Sequence, residues 1–341
     1  MAINKLLEPL QEIPYARNVQ TVDLIRGVYL ERLQCRVRGV VTVAGGAADG
    51  VLLTEGVARL IRSITVKWDA FDLVQRISGR DLYAITKRSV KRAPSGSAMT
   101  SPGVQAATEL DLTFWVNFAR PWLVNPFETV LPPLPVTSQF KIYVEWETDA
   151  ANGSSDAGTG ALISGGDRAV TWDEEPTLHI LQVAALNGKT PWYIPVMSSF
   201  DSEQFSAANS RLLHQLVNDR AFDSVLFSVR QGATQAPAPL LNTLTFQSSG
   251  TRYLNAVDAA ALHEDEQYNY PAVGDGGDDV GYYFHSFADG GWLSNVVDPG
   301  ALVAPRFLFD LDAPSSAPGT VHMVFNELIT IPELTLMQRV R

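Results

Sequence analysis

The sequence has 341 residues, 46% of them hydrophobic and 18% charged, with 25 glycines, 20 prolines and one cysteine. This suits a globular chain of two domains, excludes overall disorder, and with Cys35 alone excludes both a disulfide framework and a cysteine-rich zinc site. The net charge of −11 divides into +6 over residues 1–92 and −17 over residues 93–341, as expected if one end meets anionic lipid or nucleic acid, or simply from solvated strand faces.

In chain order, Met1–Val19 comes first. Leu6, Leu7, Leu10 and Ile13 fall on one helical face beside Lys5 and Arg17, interrupted by Pro9 and ended near Pro14. So short a helix is marginal in water and needs a partner surface. Glu8 and Pro9 leave no apolar core for a secretory signal here, and no window approaches the roughly 18 apolar residues of a membrane span.

Alternating runs then predict strands: Leu33–Arg38, Ile64–Trp68, Leu110–Phe118 and Phe140–Trp146. Cys35 lies in the first of these as a buried thiol rather than a nucleophile. Ser78 and Asp81 resemble a capping box opening a helix over Gly79–Lys87. Lys87, Arg88, Lys91 and Arg92 form a basic cluster without interleaved aromatics, so no specific nucleic-acid partner is read from it. Between Asp149 and Asp167, Gly, Ser, Ala and Asp dominate, predicting a linker and a domain boundary.

The second half repeats the order. Helices are expected over Ser202–Val217 and Val257–Gln267, and strands at Val225–Arg230, Leu244–Phe246, Phe307–Leu311 and Val321–Phe325. Ile64–Val66 matches Leu244–Phe246 at an offset of 180, and each is followed by a helical segment. Two closing strand pairs, 109–118 with 139–147 and 306–311 with 320–327, flank proline-rich crossings that bar a tight hairpin. The architecture expected is all-β: two tandem β-sandwiches of one topology with a few short helices.

Chemistry-bearing motifs are sparse. Five histidines form no zinc-type pair, and no nucleophile elbow, phosphate loop or dinucleotide fingerprint occurs. Asp275, Asp278 and Asp279 on a glycine-flexible loop are a weak Ca²⁺ candidate lacking the spaced ligands of an EF-hand, and a solvated acidic loop is the better reading. The reading is therefore no enzyme, no cofactor and no metal. Trp115, Trp122 and Trp192 are costly to leave wet and are candidates for subunit contacts.

The stretch Leu24–Lys87, the block Glu109–Trp146, and the segments Pro191–Val217 and Asn242–Glu266 together resemble double jelly-roll major capsid proteins. That lineage is the one of membrane-containing icosahedral phages of the tectivirus type and the adenovirus hexon. The resemblance implies two eight-stranded jelly rolls, here 20–149 and 168–341, with an N-terminal arm at 1–19 and a linker at 150–167. It implies a homotrimer forming a pseudo-hexagonal capsomer in a virion shell. Neighbouring capsomers, penton and minor capsid proteins would be partners, with an internal membrane beneath. Under it, Lys5, Leu6, Leu7, Leu10, Ile13 and Arg17 are membrane-facing candidates and the Asp275–Asp279 loop faces outward. The alternative is a jelly-roll carbohydrate- or receptor-binding module of a spike.

Overall fold

The period-two stretches become strands. A computed structural model describes residues 5–7, 11–44, 51–52, 56–89, 107–135, 137–147, 163–164, 169–185, 191, 193–216, 220–232, 235–249, 251–270, 280–288 and 296–330. Two units emerge. The first comprises Met1–Lys87, Arg92–Arg120 and Phe127–Pro191; the second comprises Arg88–Lys91, Pro121–Pro126 and Trp192–Arg341.

The first unit contains β1 (Lys5–Leu7), β2 (Gln11–Pro14), β3 (Gln20–Asp23), β4 (Tyr29–Ala44), β5 (Val51–Leu52), α1 (Gly56–Arg59), β6 (Ile61–Trp68), β7 (Phe71–Ile77), α2 (Gly79–Ser89), β8 (Thr108–Asn117), β9 (Phe140–Trp146), β10 (Ile163–Ser164) and β11 (Ala169–Ala185). One sheet runs β2–β11–β4–β8, with β1 also on β11. The other runs β3–β9–β6–β7. Leu33, Cys35 and Val37 from β4 and Leu112, Phe114 and Val116 from β8 are buried, as are Ile64 and Val66 from β6 and Ile142 and Val144 from β9. Apolar residues at every second position thus give each sheet one buried face.

The second unit contains β12 (Tyr193–Asp201), β13 (Asn209–Gln215), β14 (Ala221–Gln231), β15 (Ala236–Pro237), β16 (Leu241–Ser248), β17 (Thr251–Asp258), α3 (Ala259–Asn269), β18 (Tyr282–Ser286), β19 (Arg306–Leu311) and β20 (Gly319–Thr330). Its sheets run β12–β20–β14–β18 and β13–β19–β16–β17. Element for element this is the order of the first unit, with strands passing from sheet to sheet as in a jelly roll. The offset of 180 is kept by β6 and β16, by the starts of β7 and β17, and by α2 and α3.

Five expectations need correction. The helix over Met1–Val19 does not form in its described part: β1 and β2 are strands on β11, because Pro9 and Pro14 break a helix while an unpaired sheet edge offers a ladder. The expected arm is therefore part of the first jelly roll. Ser202–Val217 is no helix in its described part, since Leu212 points inward and Leu213 outward on β13. The boundary expected at 150–167 moves to the end of the first unit near Pro191, because β11 pairs with β4 along nearly its whole length. Most of that glycine-rich stretch lies outside the described residues, although Ile163–Ser164 pairs with Val51–Leu52. The closing pairs were mismatched: β8 and β9 lie in different sheets and correspond to β18 and β19, whereas β20 corresponds to β11.

The expected helix after Ser78 is α2. The Asp81 amide donates to Ser78 Oγ at 3.2 Å, and Ser78 Oγ donates in turn to the Asp81 carboxylate. Gly79 opens it where a β-carbon would lie 2.4 Å from the Ala58 carbonyl oxygen and 2.8 Å from Ile61 Cβ. Gly79→Ala should therefore destabilise the protein by about 1–3 kcal/mol, although alanine is the better helix former. A urea midpoint unchanged or raised in this variant would refute the tight fit.

Candidate assembly surface

The titratable and nucleophilic side chains are dispersed. Among the described residues no group of three His, Cys, Asp or Glu could hold a metal ion. Asp275, Asp278 and Asp279 lie outside those residues. Cys35 is buried and its thiol is pushed up to about 12 by loss of hydration, leaving almost no thiolate at neutral pH. His179 lies 3.4 Å from Glu12, and His322 lies 2.6 Å from Asp201. What distinguishes the molecule is which sheet faces stay open.

In the first unit, the outward face of β4 carries Arg32, Gln34, Arg36 and Arg38 between its buried residues. Arg36 forks across to Asp111 on β8, with Nε 2.6 Å from Oδ1, and this hydrogen bond holds the Asp111 carboxyl below the usual range. The Arg32 guanidinium lies 4.3 Å from the centre of the Trp115 ring, where burial lowers its pKa and Glu31 opposes the shift. Trp115 is half-buried, and its indole Nε1 is shut from solvent without a hydrogen-bond partner among the described residues. Its backbone N–H donates to Thr86 Oγ1 at 2.7 Å.

The matching face of the second unit is closed. Ser224, Leu226 and Ser228 of β14, Val324 and Asn326 of β20, and Tyr282 and Phe284 of β18 point outward and are nevertheless buried. Trp122 packs edge-on against Phe284 at 5.5 Å and donates from Nε1 to Asp223 Oδ1 at 3.0 Å. Tyr270 at the end of α3 meets Phe284 at 5.3 Å.

On the opposite sheets the asymmetry is reversed. In the first unit β7 buries Leu73, Val74 and Ile77, and α2 is buried along nearly all its length, charged Asp81 and Lys87 included. In the second unit β17 is open, and α3 buries just Leu262 and Glu266. Tyr253, at the position equivalent to Leu73, is 50% exposed, and Tyr268 on α3 is 86% exposed.

Of the three tryptophans expected at subunit contacts, Trp122 is engaged within the second unit, Trp115 stands half-buried on an open face, and Trp192 lies outside the described residues. Of the membrane-facing candidates, Ile13 is buried against the first core and is withdrawn from any bilayer, whereas Arg17 is exposed. Lys5, Leu6 and Leu7 form β1, and Leu10 lies outside the description. The basic cluster also changes meaning. Lys87 and Arg88 are buried, and Arg88 pairs with Glu266 at 2.7 Å inside the second unit. Sequence reasoning missed Tyr253 and Tyr268, although the 180-residue offset sets Tyr253 against Leu73 and so carries a signal.

No family model and no curated protein matches the sequence. Solved structures do match. A chain in the atomic structure of Sulfolobus Turreted Icosahedral Virus superposes with a TM-score of 0.68 at 12% identity, covering 96% of this chain and 91% of that one. The major capsid protein of bacteriophage PM2 gives 0.59 at 12% identity, covering 96% and 98%. The Faustovirus major capsid protein gives 0.59 at 10% identity, covering 96% and 90%. With two jelly rolls of one strand order and this likeness along nearly the whole chain, the protein has the double jelly-roll fold of these viral capsid proteins.

Proposed function

We propose that this chain is the major capsid protein of an icosahedral virion, a structural protein without enzymatic activity that assembles as a homotrimeric, pseudo-hexagonal capsomer. The full-length likeness to capsid subunits supports the class. The observation that carries the assembly is the pair of open faces. The first unit leaves the β4–β8 face partly open, around Arg36, Arg38 and Asp111, and the second leaves the β17–α3 face open, while the counterpart of each is more deeply buried. Two different open faces on one chain join head to tail, and a heterologous contact that closes makes a ring. Three two-unit chains in such a ring present six similar units. The virion shell is then the place of action, with neighbouring capsomers and other capsid proteins as partners. Arg17 is available to an anionic bilayer beneath the shell.

Tyr253→Lys combined with Tyr268→Lys tests this face. Tyr268 is exposed and Tyr253 is half-exposed with its ring 5.4 Å from Phe246, so circular dichroism should match the wild type at a modest cost in stability, while self-association weakens at least tenfold. A double variant that associates as tightly as the wild type would remove the β17–α3 face from the assembly.

A further inference from the structure

His214 lies on β13, an edge strand whose described ladder in the second unit runs to β19. Its ring is 6.2 Å from Phe200 and stacks on Phe325 at 6.4 Å and 30°. The same ring borders a cavity that opens to solvent, with Phe222, Arg220 and Glu327 also in its wall. The charged neighbours are placed. Glu327 is buried, accepts from Ser198 Oγ at 2.8 Å and pairs with Arg220 at 3.0 Å. On β19, Phe307 stands opposite His214 in register, and Arg306 stands opposite Gln215.

We propose that the Phe200–His214–Phe325 stack is a proton-operated latch, in which a proton taken up by His214 turns the ring out through the cavity and releases the β13 edge of the second unit. A neutral imidazole packs beside the edge-to-face Phe200–Phe325 pair, whose centroids are 5.6 Å apart, as a flat, weakly polar group. An imidazolium there must shed its hydration in a wall that already holds the Arg220 cation. The ring faces attract a cation, but desolvation is the larger effect, and the pKa of His214 is lowered by burial. Release outward restores hydration without unfolding the core, because the cavity supplies the path. The latch is therefore fully closed above the ordinary histidine value of 6.5 and weakens as pH falls from there through the lower folded-state value.

The test is read on the separated chain and is independent of the assembly proposal. Hydrogen exchange is followed by mass spectrometry at pH 7.5 and 5.5, corrected for the intrinsic rate. Amides of residues 209–216 should exchange several-fold faster at the lower pH, and His214→Phe, which keeps an aromatic ring but cannot titrate, should abolish the difference. An unchanged wild type, or an equal acceleration in His214→Phe, overturns the latch. Should that variant fail to fold, NMR titration of the wild-type His214 ring decides: a midpoint below 6.5 that tracks the loss of protection supports it, and a midpoint at or above 6.5 overturns it.

Discussion

Arg88→Met is expected to be among the most damaging single substitutions in the second unit, costing about 3–5 kcal/mol. Both members of the Arg88–Glu266 pair have fully buried side chains, 2.7 Å apart. Removing the guanidinium leaves the Glu266 carboxylate in a site built for its partner, beside the Tyr283 phenol, which burial and Glu266 push up to about 12. The cost of an uncompensated buried charge exceeds the net benefit of the intact pair, so the double variant Arg88→Met with Glu266→Leu should recover at least half of the loss. Equilibrium unfolding in urea measures both. A single variant within 1 kcal/mol of the wild type would show that the pair carries no such penalty.

Phe307→Ala should cost a similar amount, about 3–5 kcal/mol, for a different reason. Phe307 is fully buried on β19, with ring centroids of Phe246 at 4.7 Å, Phe227 at 5.2 Å, Phe309 at 6.2 Å and Phe325 at 6.3 Å. Truncation opens a cavity among rings on four strands that close-packed neighbours fill only in part. Phe307→Leu retains most of the volume and should lose well under half as much. Equal losses in the two variants would mean that ring geometry, not volume, governs this core.

The fold was legible where hydrophobic alternation was clean. β4, β6, β8, β9, β16 and β19 coincide with alternating runs, because one face of each is the more deeply buried, whereas β14 and β20, buried on both faces, show the weaker alternation of Leu226 and Val324 at outward positions. β11 was not legible. Asp173, Glu174, Glu175 and Pro176 interrupt its period, and the structure absorbs them in a bulge with the three carboxylates exposed and Pro176 buried over Gly39, where a β-carbon would lie 3.1 Å from Pro176 Cα. Losing β11 displaced the domain boundary, since the glycine-rich stretch looked terminal to a unit it actually interrupts. The helical reading of Met1–Val19 failed because periodicity over so few residues cannot separate a helix face from short strands at a sheet edge. The repeat was legible through the offset of 180, but the open faces were not. They depend on which copy of each repeated surface is covered, and one strand's own pattern says little about that.

The mass of the purified chain in solution tests the central claim most directly. One chain is 37.2 kDa, so light scattering at micromolar concentration should report about 112 kDa, three chains, with hexagonal outlines in electron micrographs. A monodisperse 37.2 kDa species under the same conditions, with β17 and α3 as open as in the single chain, would contradict it.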